Sequence, residues 1–176
     1  LGTFAHVLVC LISPRTHDPR DISPAYRLQR QMCMRVRQGA EIFQAAHYKG
    51  VVVAFEAAVA GGIPIIKALR EGLSANQIQW VAGIINGTTN FILSEMRDKG
   101  LDFDVVLKEA QRLGYAEADP TFDIEGVDAA HKATILSAMA FGIPVQFDKA
   151  YVEGITQLAA ADIKYAEQLG YRIKLL

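Results

Sequence analysis

The sequence predicts an α+β fold in which helices cover a mixed β-sheet. Segments with an apolar period near 3.6 residues are interspersed with short β-branched runs, the pattern expected of helices and buried strands. The two kinds of segment do not follow the regular alternation of a doubly wound sheet. Hydrophobic residues make up 51% of the 176 residues, so the chain can bury a substantial core.

Six segments are predicted to be helical. Pro64 suits a first helical position, where its missing N–H leaves no hydrogen bond unmade. Gly100 and Gly114 each follow a helical segment and suit the left-handed turn that ends a helix. The predicted helices are residues 41–48, 64–72, 90–99, 103–113, 127–141 and 159–169.

Four runs rich in β-branched or aromatic residues are predicted to be the strands of the sheet. The last of them ends the sequence without a cap or a polar tail, and the sequence does not begin with Met. We therefore expect the chain to be a piece of a longer protein. The predicted strands are residues 51–55, 80–85, 151–155 and 171–176.

Residues 1–38 differ in composition from the rest. They contain six arginines, no lysine and two aspartates, a formal charge of +4; subtracting these from 18 basic and 19 acidic residues leaves 12 and 17, or −5. Pro14, Pro19 and Pro24 interrupt this part, and it has no sustained helical or strand period. We expect residues 1–38 to be a poorly specified segment and residues 39–176 to be an ordered domain.

The overall charge indicates small-molecule partners. A formal net charge of −1 provides no field that would attract nucleic acid or an anionic membrane, so we expect neither as a partner. Cys10 and Cys33 form no CxxC pair, which fits a reducing cytoplasm. The apolar opening, residues 1–12, is shorter than the roughly 20 residues that span a bilayer.

The chemistry-bearing part of the sequence is residues 117–132. Asp128 and Lys132 lie four apart in a predicted helix, so their side chains share one face. Acids suit a substrate ammonium group, and a lysine can protonate a carbonyl oxygen. The alternatives are a surface ion pair, a solvated acidic loop and a calcium loop, although the acids do not have EF-hand spacing. The carboxylates are Glu117, Asp119, Asp123, Glu125 and Asp128.

Residues 110–132, with Gly114-Tyr115-Ala116, Asp119-Pro120, Asp123-Ile124, Gly126, Asp128 and Lys132, resemble the homoserine dehydrogenase family. Two further stretches resemble the same family, FEAAVAGGIPII at residues 55–66 and IINGTTNFILSEM at residues 84–96. The resemblance covers about residues 39–176. It implies a catalytic and dimerisation domain, and hence a homodimer.

The resemblance also implies an activity, the NAD- or NADP-dependent interconversion of L-homoserine and L-aspartate 4-semialdehyde. This oxidoreductase reaction belongs to the biosynthesis of threonine, methionine and isoleucine. By the family motif, Lys132 transfers the hydroxyl proton and Asp128 orients the substrate. Glu117 holds the ammonium group, and Asp123 is a further substrate-binding residue.

A monovalent cation, usually sodium, is the second ligand that the family implies. The matching positions in this sequence are Glu56, Val59, Gly61 and Ile63. Glycine at position 61 allows carbonyl groups to turn towards an ion, because it tolerates positive φ. The alternative for this segment is a tight strand-to-helix turn with no ligand.

The motif Asn86-Gly87-Thr88-Thr89-Asn90 lies close to the substrate site in the family. Asn86 and Thr88 are therefore predicted to bind substrate. The alternative is a turn with a helix cap, the usual role of Asn and Thr at such a place. His131 faces roughly 100° away from Lys132 and is predicted to be structural.

The nucleotide-binding domain that opens the family has no counterpart in the sequence pattern. No GxGxxG is present, so no residue is assigned to the cofactor. We expect weak NADPH binding by the chain, and micromolar affinity in a fluorescence titration would contradict this. A catalytically silent fragment that acts only as a dimerisation module is the alternative function.

Overall fold

The structure, a computed structural model, describes residues 38–176. The segment predicted for residues 1–38, apart from Gln38, and both cysteines lie outside the described residues. Two compact units are present: residues 38–81 with 131–148, and residues 82–130 with 149–176.

The described residues form eight α-helices, in chain order, together with two shorter helical turns. A π-helical turn, Ala68–Gly72, continues the third helix, and a 3₁₀ turn, Phe147–Lys149, follows the seventh. The α-helices are α1 (residues 38–49), α2 (Ala57–Ala60), α3 (Ile65–Lys67), α4 (Gly87–Lys99), α5 (Phe103–Arg112), α6 (Thr121–Ile124), α7 (Val127–Phe141) and α8 (Ala160–Gln168).

All six predicted helices are confirmed, and the glycines predicted to end them do so. Gly100 and Gly114 have φ of 64° and 78°, conformations that cost glycine least. Pro64 is the residue that precedes α3 rather than its first helical residue. The short helices α2 and α6 were not predicted, because four residues are too few to show a helical period.

The four predicted strands are not confirmed, since residues 38–176 contain no β-strand. An alternating or β-branched run predicts an extended backbone but does not define its partner, and within this part of the chain no two runs form a ladder. Two of the runs instead hydrogen-bond to helical elements. The Ile155 N–H donates to the Ile124 carbonyl at 2.8 Å, and Leu175 pairs with the side chain of Asn90.

The second unit has a core built around α4. Ile92, Leu93 and Met96 are spaced so that they share one face of the helix, and each is at most 2% exposed. This face packs against α5, α6 and α8. The other buried members of the core are Val106, Ala110, Ala116, Ile124, Ile155 and Ile163.

The first unit buries apolar side chains on its short helices. Ala58, Val59 and Ile66 are buried on α2 and α3. The rings of Phe43 and Phe55 lie 6.1 Å apart, between α1 and the segment that follows it. No helix among residues 38–176 is long and apolar enough to cross a membrane.

Residues 124–126 and 153–155 approach each other at main-chain distance. A Cβ added to Gly154 would lie 2.6 Å from the Glu125 Cα, and one added to Gly126 would lie 2.8 Å from the Glu153 carbonyl oxygen. Gly126 also has φ of 77°. Only glycine fits at both positions, and this contact fixes the turn between α6 and α7.

Candidate active site

Asn86 begins helix α4 and caps it. Its backbone is extended, with φ of −118° and ψ of 108°, and its side-chain oxygen accepts a hydrogen bond from the Thr89 N–H at 2.8 Å. Asparagine is among the best N-cap residues, because its short side chain reaches the unpaired N–H groups of the first turn. The helix-cap alternative for this motif is therefore confirmed for Asn86.

The same Asn86 side chain connects two buried carboxylates. Its Nδ2 donates to Asp123 Oδ1 at 2.8 Å and to Asp128 Oδ2 at 2.9 Å. Asn86, Asp123 and Asp128 are 4%, 8% and 2% exposed. Buried carboxylates need hydrogen-bond donors, and one amide serves both of them. We call Asp123 and Asp128 the carboxylate pair.

Main-chain geometry brings the carboxylate pair together. Asp123 lies in α6, and Asp128 lies in the first turn of α7, where the helix dipole favours a negative charge. Gly126 makes the turn between the two helices. Thr89, which is fully buried, donates its hydroxyl proton to the Asp123 carbonyl at 3.0 Å and so links this turn to α4.

Asp119 and Glu125, two of the other carboxylates predicted for this segment, do not belong to the buried pair and accept hydrogen bonds from threonine residues. Asp119 accepts hydrogen bonds from the hydroxyl and the N–H of Thr121 at the start of α6, and these lower the pKa of its carboxyl. Glu125 accepts from the Thr156 hydroxyl at 3.2 Å. Both are exposed. Of the five predicted carboxylates, two are therefore exposed, two form the buried pair and Glu117 is half-buried.

Glu117 lies half-buried in the loop between α5 and α6. Gln111 fixes the main chain of this loop, because its Nε2 donates to the Glu117 carbonyl at 3.0 Å and to the Ala118 carbonyl at 3.3 Å. Thr88 donates its hydroxyl proton to the Tyr115 carbonyl at 2.7 Å. Its hydroxyl thus connects α4 to the loop after α5.

Lys132 lies half-buried on α7, four residues after Asp128 on the same helix. The prediction that these two residues lie on one helix is thereby confirmed. His131 is 2% exposed. Its ring packs against the ring of Phe147 in an edge-to-face arrangement, with the two ring centroids 4.2 Å apart. This packing agrees with the structural role predicted for His131.

Glu56 precedes α3 in the sequence by a turn and a short helix, yet its side chain caps α3. Its two carboxylate oxygens accept hydrogen bonds from the Ile66 N–H at 2.7 Å and from the Lys67 N–H at 2.9 Å. Gly61 has φ of 58°, Val59 is buried and Ile63 is exposed. The strand-to-helix turn predicted for this segment is wrong in part: no strand precedes it within residues 38–56, and helix α2 and a turn at residues 61–62 occupy it. Among residues 38–176, no group of three or more His, Cys, Asp or Glu residues is arranged to hold a metal ion.

We expect Glu56→Ala to lower the free energy of unfolding by about 1 kcal/mol, the usual effect of losing a helix cap. The reason is that two N–H groups of α3 lose their acceptor. Urea denaturation of the chain measures the change, with Glu41→Ala on α1 as the matched control. Equal stability of the two variants would show that the Glu56 carboxylate does not cap α3.

Comparison with known proteins points to one class of oxidoreductase. Residues 64–176 match the family model described as homoserine dehydrogenase. The homoserine dehydrogenase of Pseudomonas aeruginosa is 74% identical over 138 residues, which are 78% of this chain and 32% of that protein. The chain thus spans about a third of the length of the curated relatives it matches. It belongs to the homoserine dehydrogenase family.

Solved structures similar to this chain are also homoserine dehydrogenases. A homoserine dehydrogenase from Thiobacillus denitrificans is 76% identical, with a TM-score of 0.79 over 81% of this chain and 33% of that one. A hyperthermophilic archaeal homoserine dehydrogenase mutant in complex with NADPH is 33% identical, with a TM-score of 0.66 over 73% of this chain and 40% of that one. The structural neighbours are therefore of the same family.

Proposed function

We propose that the protein containing this chain interconverts L-homoserine and L-aspartate 4-semialdehyde with NAD or NADP, in threonine, methionine and isoleucine biosynthesis. The chain's family membership supports this activity. The observation that carries it is the buried carboxylate pair under one amide, followed one helical turn later by a lysine. Such an arrangement suits an amino-acid substrate with a reactive oxygen.

The residues divide the chemistry between binding and proton transfer. Glu117 and Asp123 hold the substrate ammonium group, because carboxylates offset its charge where water is excluded. Asp128 orients the substrate. Lys132 gives a proton to the aldehyde oxygen as negative charge gathers there, and it accepts the hydroxyl proton in the reverse direction. Thr88 is a further substrate-binding residue in this proposal, because its hydroxyl, which donates to the Tyr115 carbonyl, can still accept a hydrogen bond.

A nicotinamide cofactor supplies or accepts the hydride in this reaction, and a solved relative contains NADPH. The sequence has no glycine-rich turn of the kind that binds a pyrophosphate, so we assign no residue to that part of the cofactor. The residues proposed here act on the substrate side alone.

Residues 39–176 form, in this proposal, the catalytic and dimerisation domain of a cytoplasmic homodimer. The four β-branched runs pair into a mixed sheet in that assembly. Trp80, Ile84, Tyr151 and Tyr171 lie in these runs and are each more than half exposed, which supports a covering partner.

A sodium ion is the proposed ligand of the turn at residues 56–63. The donor types fit, since Glu56 offers carboxylate oxygens while Val59, Gly61 and Ile63 offer main-chain carbonyl oxygens, and hard cations prefer oxygen. The positive φ of Gly61 supports a turn of this shape.

Binding of L-homoserine to the ¹⁵N-labelled chain tests the substrate-side assignment. We expect the side-chain amide signals of Asn86 and the backbone amides of Glu117 and Asp123 to shift as homoserine is added. The matched control is 4-hydroxybutyrate, which keeps the hydroxyl and the carboxylate but lacks the ammonium group. Equal responses to the two compounds, or none up to about 10 mM, well above ordinary KM values, would contradict the proposal.

A further inference from the structure

We infer that Asn86 is a positioning residue for the proposed reaction: its side-chain amide sets the geometry of the carboxylate pair and does not bind substrate itself. The inference rests on the proposed function, and it changes the role that the sequence motif predicted for Asn86. It follows from how the hydrogen-bonding capacity of this one side chain is used.

Every polar atom of the Asn86 side chain has a partner within the protein. Its Nδ2 carries two protons and lies within hydrogen-bond distance of two acceptors, Asp123 Oδ1 and Asp128 Oδ2. Its Oδ1 accepts from the Thr89 N–H. Since both donor protons serve the carboxylates, none remains for a substrate oxygen.

The helix fixes which way the amide faces. The Thr89 N–H can only donate, so the atom that meets it is the amide oxygen, and the nitrogen therefore points at the carboxylates. A rotated amide would place two donors against each other and an oxygen against two negative charges. The cap of α4 thus determines the position and polarity of the group between Asp123 and Asp128.

Asparagine is the side chain that satisfies both requirements at once. Two carboxylates close to one atom repel each other, and a neutral group that donates to both offsets that repulsion without adding a charge. Serine would keep the cap, but its hydroxyl has only one proton and could donate to only one of the two carboxylates. Aspartate would keep the shape and the cap but would add a third negative charge.

Asn90 provides a matched comparison on the same helix. It is also buried, but its hydrogen bonds go to the main chain, from Nδ2 to the carbonyls of Asn86 and Leu175 and to Oδ1 from the Leu175 N–H. Replacing Asn90 therefore removes buried asparagine hydrogen bonds without removing a donor from either carboxylate.

The activity test uses a chimeric enzyme, in which the 138 matched residues of the Pseudomonas aeruginosa homoserine dehydrogenase are replaced by those of this chain. We expect Asn86→Ser and Asn86→Asp to lower kcat/KM for homoserine by about 10- to 100-fold, the range seen when a residue that orients a metal-binding side chain is replaced. Asn90→Ser should lower it less than threefold. Equal losses at positions 86 and 90 would overturn the inference.

A double-mutant cycle separates positioning from direct substrate binding. If Asn86 acts through Asp128, then Asn86→Ser should have little further effect once Asp128→Asn is present, because coupled residues are not additive. Full additivity of Asn86→Ser with Asp128→Asn and also with Asp123→Asn would contradict the inference. An unsubstituted chimera that folds but does not oxidise homoserine would instead count against the proposed function.

A second measurement needs no activity. In the ¹⁵N-labelled chain, both side-chain amide protons of Asn86 should exchange slowly, and both should shift in Asp123→Asn and in Asp128→Asn. The exposed Asn76 is the internal reference. The inference would be overturned if the Asn86 amide protons exchanged as fast as those of Asn76, or if their chemical shifts changed in neither substituted chain. This result would hold even if the chimera were inactive.

Discussion

Lys132→Ala in the chimeric enzyme should lower kcat for L-homoserine by about 10²- to 10⁴-fold, the range that a positioned acid or base contributes. Lys132 lies on α7 one turn after Asp128, so the substitution removes the proposed proton donor while it keeps the Asn86 amide that donates to Asp128. We expect KM to change much less than kcat. Steady-state rates of NADPH formation at saturating homoserine provide the measurement.

Two further variants distinguish proton transfer by Lys132 from the effect of its charge and from the general effect of removing a lysine. Lys132→Arg keeps the positive charge but cannot give up its proton near neutral pH, so it should stay close to Lys132→Ala in kcat. Lys108→Ala, an exposed lysine on α5, should leave kcat within twofold of the unsubstituted enzyme. Recovery of most activity by Lys132→Arg would assign this lysine a purely electrostatic role, and an active Lys132→Ala enzyme would remove it from the mechanism.

Gly154→Ala should lower the free energy of unfolding of the chain by about 1–3 kcal/mol, the cost of inserting a methyl group into a tightly packed place. The added Cβ would meet the carbonyl oxygen of Ile124 and lie 2.6 Å from the Glu125 Cα. These are main-chain atoms, which cannot move aside as a flexible side chain can. The Ile155 N–H bond to the Ile124 carbonyl would also be displaced.

The matched control for this prediction is Gly83→Ala in the same unit. Nothing lies within 4 Å of a Cβ at Gly83, and its φ is not positive, so the substitution should change stability by less than about 0.5 kcal/mol. Urea denaturation should therefore give a clearly lower midpoint for Gly154→Ala than for Gly83→Ala. Coincident curves would show that residues 124–126 and 153–155 do not approach each other at main-chain distance.

The helices could be predicted because their signals are local. The apolar spacing of Ile92, Leu93 and Met96 and the glycines at positions 100 and 114 each lie within one or two turns of the element they define. The sheet depends on pairing between distant segments, which periodicity does not specify. Thus the run at residues 171–176 was identified as extended, yet Leu175 pairs with a helical side chain.

The candidate site was predictable in composition but not in arrangement. The sequence predicts a carboxylate-rich loop, and the family resemblance singles out Glu117, Asp123 and Asp128 within it. Nothing in the spacing indicated that Asn86, some 40 residues earlier, donates to both. Thr89 and Gln111 were also missed, although Thr89 follows the cap by three residues, where a capped N–H is expected.

Oxidation of L-homoserine by the chimeric enzyme tests whether these residues form the substrate side of a homoserine dehydrogenase. We expect homoserine-dependent reduction of NADP or NAD at a rate within tenfold of the Pseudomonas aeruginosa parent, and no reduction with 4-hydroxybutyrate. A chimera that folds and binds NADPH but shows no homoserine-dependent reduction would contradict the claim that these residues form the substrate-binding and proton-transfer part of a homoserine dehydrogenase.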